Sequence, residues 1–154
     1  MNRIFPVITA AATFTLTACG APKPQSEAAC EAAQDATIAV TDARVRPAAG
    51  RPVTAAYFVL CNAGGTDDAL IGVESGIADT LEIHESHMNE AGVASMTRLE
   101  ELQLPAGEPV RLEPGGAHVM IIGLSSDIDE GARVRLTLRF RNAEPIEIEA
   151  EARP

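Results

Sequence analysis

From residue 36 onward the chain breaks into short alternating or β-branched apolar runs separated by clusters of Gly, Pro, Asn and Asp, and no window sustains a helical period. That pattern confines the fold to strands. Candidate strands cover residues 37–44, 53–61, 69–74, 80–86, 93–99, 110–113, 118–124, 133–140 and 145–151. Turn signals stand between them at 47–50, 62–65, 89–92, 105–107, 114–116 and 127–131. Val134, Leu136, Leu138 and Phe140 alternate with Arg133, Arg135, Arg139 and Arg141, the mark of a strand with one buried and one wet face. Many short strands at this spacing predict an all-β fold, an antiparallel two-sheet β-sandwich. Aromatic residues make up only 3% of the chain, so the core must be built from Val, Ile, Leu and Ala. A chain of 154 residues is still long enough for one domain that buries roughly two-thirds of its unfolded surface. That domain is expected to span residues 36–154; no internal repeat or second domain is visible.

The first 18 residues read as a secretory leader: Arg3, an apolar stretch over 4–16, and Leu16-Thr17-Ala18 directly before Cys19. The stretch is too short, and too interrupted by Pro6 and several Thr, for a membrane span of roughly 20 residues. Leu-Thr-Ala-Cys resembles the bacterial lipoprotein box, which implies that Cys19 becomes the acylated first residue of the mature chain. Gly20 after the cysteine resembles lipoproteins sorted to the outer membrane, so the expected location is the periplasm, on a lipid anchor. Residues 19–35, with Pro22, Pro24, Gln25 and Ser26, carry no period-2 pattern and read as a tether. Cys30 and Cys61 are then an even pair in an oxidising compartment; they are either disulfide-bonded or two separate thiols, with Cys61 buried in its strand.

The formal charge of −10 and the lack of any basic run argue against nucleic acid and anionic membrane surfaces as partners. Catalytic arrangements are scarce. No serine lies in a nucleophile-elbow context, and glycines occur at turns rather than as Gly-x-Gly-x-x-Gly before a helix. Glu147, Glu149 and Glu151 alternate with Ile146, Ile148 and Ala150 and read as a solvated strand face.

A set of soft and borderline metal donors stands out instead: His84, Met96, His118 and Met120. Residues two apart on a strand share a face, so His118 and Met120 present an imidazole and a thioether side by side. His84 shares parity with Glu82 and Ser86, against Leu81 and Ile83, which turns it away from the apolar core. A hairpin through 89–92 is expected to bring Met96 opposite His84. Thioether sulfur is soft and uncharged, suited to Cu(I) and ill suited to zinc, magnesium or calcium. A blue-copper centre needs a cysteine near its histidine and methionine, and neither Cys30 nor Cys61 is so placed. Taken singly, each methionine reads as core filler and each histidine as a surface or hydrogen-bonded residue. His87 and Met88 read as hairpin-end residues, with the same softness marking either as a spare ligand.

The stretch 104–124, Leu-Pro-Ala-Gly-Glu-Pro-Val-Arg-Leu-Glu-Pro-Gly-Gly-Ala-His-Val-Met-Ile-Ile-Gly-Leu, resembles the periplasmic copper chaperones of the PCu(A)C family. So do Ala-Ala-Tyr-Phe-Val-Leu-Cys-Asn at 55–62 and Leu-Glu-Ile-His-Glu-Ser at 81–86. The family pattern is His, ten residues, Met, twenty-one residues, His-x-Met. Twenty-one residues separate Met96 from His118 here, but eleven separate His84 from Met96, and the extra one falls in the turn at 89–92. The resemblance covers about residues 36–152. It implies a cupredoxin-like Greek-key sandwich that binds Cu(I), in some members also Cu(II), through His84, Met96, His118 and Met120, without catalysis. It further implies supply of copper to the CuA centre of cytochrome c oxidase, with Sco-type thiol proteins as associates. Two alternatives stand beside it: a lipid-anchored envelope interaction or structural module without metal, and a copper-dependent redox enzyme. The enzyme is disfavoured because four protein ligands leave no open position for substrate.

Overall fold

The computed structural model describes Cys30, residues 37–88 and residues 92–154. The leader, Cys19 and most of the tether lie outside the described residues, as do positions 89–91 of the hairpin turn. Ten strands form the domain: β1 (Ile38–Val45), β2 (Val53–Asn62), β3 (Asp68–Glu74), β4 (Ala78–Met88), β5 (Ala94–Leu99), β6 (Leu102–Leu104), β7 (Pro109–Leu112), β8 (Ala117–Leu124), β9 (Arg133–Phe140) and β10 (Ile146–Ala152). Among the described residues no helix is long and apolar enough to cross a membrane.

Hydrogen bonding runs in the order β5-β4-β8-β2-β1-β10-β9-β3-β6, with β7 also on β2. The strand β1 joins the two halves. It pairs antiparallel with β2 and, at Arg44 and Val45, parallel with β10, the one parallel pairing among the described strands. A bulge between Thr41 and Arg44 bends β1 where it meets both neighbours, and Asp42 adopts φ 54° there. The Asp42 carboxylate accepts hydrogen bonds from Arg44 and Arg153, tying the bulge to the end of the chain.

Both halves contribute to one apolar core. Phe58 and Leu60 of β2, Val119 and Ile121 of β8, Leu70 of β3, and Leu136 and Leu138 of β9 are all essentially sealed from solvent. Each such side chain contributes about 1.5–3 kcal/mol through removal from water. The alternation along β9 is as its sequence demands: Val134, Leu136, Leu138 and Phe140 are buried while Arg133, Arg135 and Arg139 are exposed. The strand β2 departs from alternation. Nine of its ten residues are buried: strands flank it on both edges, Phe58 and Leu60 pack into the core, and on the other face Val59 and Cys61 pack with Cys30.

Candidate metal centre

The site is assembled on β5, β4 and β8, on the sheet face turned away from the core. Ile83 packs into the core at 4% exposure, so its neighbours Glu82 and His84 project to the other side. On β8, Val119 and Ile121 take the core side, which leaves His118 and Met120 on that same outer face. Register then sets the neighbours. His84 lies directly opposite His118, and Glu82 opposite Met120. Met120 also faces Ala55 of β2, whose single methyl leaves room beside the thioether.

Met96 does not stand opposite His84. Its partner is Ser86, and the residue opposite His84 is Arg98. The cause lies at the hairpin end: β4 continues past Ser86 to Met88, which pairs with Ala94, so the register is displaced by one same-face step. Met96 is therefore a diagonal neighbour of His84, at a Cα distance of about 7–8 Å for such pairs, still on the same face and within reach of a long side chain.

Met96, His118 and Met120 share the wall of one open pocket of about 260 Å³, together with Ser86 and Tyr57. His84 is not on that wall; its ring centroid lies 6.0 Å from that of His118. The Tyr57 ring flanks His118 on the other side at 6.5 Å. Access is graded: His118 is 6% exposed, whereas Met96 on the edge strand is 55% exposed.

Hydrogen bonding fixes which nitrogen each imidazole can offer. The Nδ1 of His118 lies 3.0 Å from the Gly116 carbonyl oxygen. A carbonyl only accepts, so Nδ1–H donates and the lone pair resides on Nε2. The Nε2 of His84 lies 2.9 Å from Oε2 of Glu82, while Oε1 of Glu82 lies 3.2 Å from Nη1 of Arg98. An ionised carboxylate likewise only accepts, so His84 carries its hydrogen on Nε2 and its lone pair on Nδ1. That Nδ1 is buried and has no hydrogen-bond partner. The hydrogen bond from His84 holds the Glu82 carboxyl below its ordinary value; partial desolvation opposes this, and the Arg98 guanidinium assists it.

The donor set is thus two imidazole lone pairs and two thioethers, all uncharged. Among the described residues no group of three or more His, Cys, Asp or Glu is gathered to hold a metal ion. The chemistry of such a face suits a soft ion. Of the spare candidates, Met88 shares the site face at the hairpin end and is 75% exposed. His87 has the opposite parity and lies 3.3 Å from the Glu85 carboxylate. Cys30 and Cys61 form a disulfide, with Cα atoms 5.1 Å apart, near the far end of β2. Glu82 and Arg98 were not singled out by the sequence. The signal was there for Glu82, two residues before His84 on the same strand face, but Arg98 enters only through the hairpin register.

This β-sandwich is similar to solved PCuAC copper domains. A copper-bound PCuAC domain from PmoF2 superposes with a TM-score of 0.64 at 26% identity, covering 75% of this chain and 92% of that one. The Cu(I) form of DR1885 from Deinococcus radiodurans gives a TM-score of 0.58 at 27% identity, covering 71% of this chain and 74% of that one. The chain itself belongs to the LpqE-like family, described as "Putative lipoprotein LpqE-like", whose profile matches residues 38–152. A relative from Leifsonia xyli subsp. xyli, named "Putative lipoprotein Lxx21020", is 32% identical over 131 residues, 85% of this chain and 78% of that protein.

Proposed function

We propose that this protein is an extracytoplasmic carrier of one Cu(I) ion, held by His84, Met96, His118 and Met120 and passed on without catalysis. The observation that carries the reading is the row in which His84 faces His118, flanked by Met120 on β8 and Met96 on β5, with a buried imidazole lone pair lacking any partner. Neutral imidazoles and thioethers add no charge to the ion, and the exposed Met96 is open to exchange with an incoming thiolate or imidazole. The likeness to copper-bound and Cu(I)-loaded PCuAC structures supports the same cargo. Some PCu(A)C proteins also take Cu(II), and the same four side chains are the proposed ligands for it here. Delivery toward the CuA centre of cytochrome c oxidase, alongside a Sco-type thiol protein, is the destination we propose on the family resemblance. Anchoring through acylated Cys19 in the periplasm, on the outer membrane as Gly20 indicates, agrees with a family named for lipoproteins.

Anaerobic Cu(I) titration of the protein tests the cargo. One equivalent is expected to bind, and the Met96→Leu, Met120→Leu double variant should keep its fold, since Leu for Met nearly conserves volume, while losing the copper. Absence of stoichiometric binding by the unaltered protein would leave a metal-free envelope module as the better reading.

A further inference from the structure

A histidine has two nitrogens, and a metal site works only if the right one is left free. On β4 that choice is made by a neighbour two residues earlier on the same face. The Glu82 carboxylate takes the hydrogen of His84 Nε2 at 2.9 Å. Its second oxygen lies 3.2 Å from Arg98, the residue directly opposite His84 on β5. Glu82 is thus held from two sides, by its own strand and by the next. The result is a buried Nδ1 with its lone pair exposed to no donor, and a buried polar atom without a partner calls for one.

We propose that Glu82, braced by Arg98, is a positioning residue of the copper site: it fixes His84 in the Nε2–H tautomer and so commits Nδ1 to the metal. His118 is committed to the opposite nitrogen, because the Gly116 carbonyl takes its Nδ1–H. The two facing imidazoles therefore bind through different atoms, Nδ1 from β4 and Nε2 from β8. Carboxylate–histidine pairs of this kind orient the ring and strengthen it as a donor, and their loss typically weakens metal binding 10- to 100-fold. Arg98 is 68% exposed at its side chain, so it serves by keeping the carboxylate in place rather than by touching the ion.

This inference rests on the copper reading, and the test separates the two. Long-range proton–nitrogen correlation spectra of the metal-free protein report the tautomer directly, independent of any cargo. His84 is expected to show protonated Nε2 in the unaltered protein, and a mixture of tautomers in Glu82→Leu. Competition with a Cu(I) chelator should then show Glu82→Leu still binding one equivalent, about 10- to 100-fold more weakly. Glu82→Gln, whose amide oxygen can still accept from Nε2–H, should recover most of that loss. Arg98→Met, a change at an exposed position that guards against misfolding of the Glu82 variants, should weaken binding by a smaller factor. A metal-free protein with His84 protonated on Nδ1, or a folded Glu82→Leu that binds as tightly as the parent, overturns the positioning role and leaves the copper reading standing. Failure of the parent to bind copper at all removes both.

Discussion

One well-partnered carboxylate stands on β3, outside the donor-bearing strands β4, β5 and β8. Asp68, 7% exposed at the start of β3, accepts backbone hydrogen bonds from Ala69 at 2.7 Å, Asn142 at 3.0 Å and Ala143 at 2.9 Å. Burial raises its proton affinity, but the backbone donors outweigh this and hold the carboxyl below its ordinary value. Its unfolded value is about 3.9. A carboxyl lowered in the folded state contributes stability that is complete above that value and fades as pH falls through the folded one. Asp68→Asn turns an –NH2 toward a backbone N–H and should cost about 1–3 kcal/mol at neutral pH. In urea denaturation the gap between parent and variant should narrow as pH falls below the ordinary carboxylate value of about 3.9; a gap that stays constant there would show that Asp68 does not act through its charge. At this scale the sequence was informative about parity and silent about register. Alternation alone put His84, His118 and Met120 on a shared kind of face. The position of Met96 depended on where the hairpin closes, which no single residue states. The Asp68 staple was hidden as well, because two of its three donors, Asn142 and Ala143, lie more than 70 residues away.

Among the elements, nine of the ten strands lie within two residues of where alternation and turn residues set them. The tenth, β6, is Leu-Gln-Leu before Pro105, three residues that are too few to show a period. The parallel contact of β1 with β10 was also beyond reach, since it joins segments at opposite ends of the chain whose local patterns carry no mark of each other. The disulfide is an element-scale tie, fastening Cys30 to the buried end of β2 across a sequence separation of 31. Closing a loop of that length stabilises by about 2–4 kcal/mol. Cys30→Ser should lower the free energy of unfolding by that amount under non-reducing conditions. Copper stoichiometry should not change, because Cys61 lies six residues along β2 from Ala55, about 20 Å from the donor face. A loss of copper in the serine variant would mean that the tie reaches the site after all.

Over the whole molecule, the class of fold was readable from period and punctuation, and the donors proposed to hold the cargo from the residue types that share a face. The proposed lipid anchor rests on Cys19. Cys19→Ser should abolish incorporation of labelled fatty acid and move the protein from the membrane to the soluble fraction, with Cu(I) binding unaltered; retention in the membrane fraction would refute anchoring at that residue. The Cys30–Cys61 link and the donor face occupy opposite ends of β2. With the lipid anchor proposed at Cys19, the disulfide end would be the moored pole of the domain and the donor end the free one. A visitor docking at that free pole would find the exposed methionine of the outermost strand before it meets anything to which the protein is fastened.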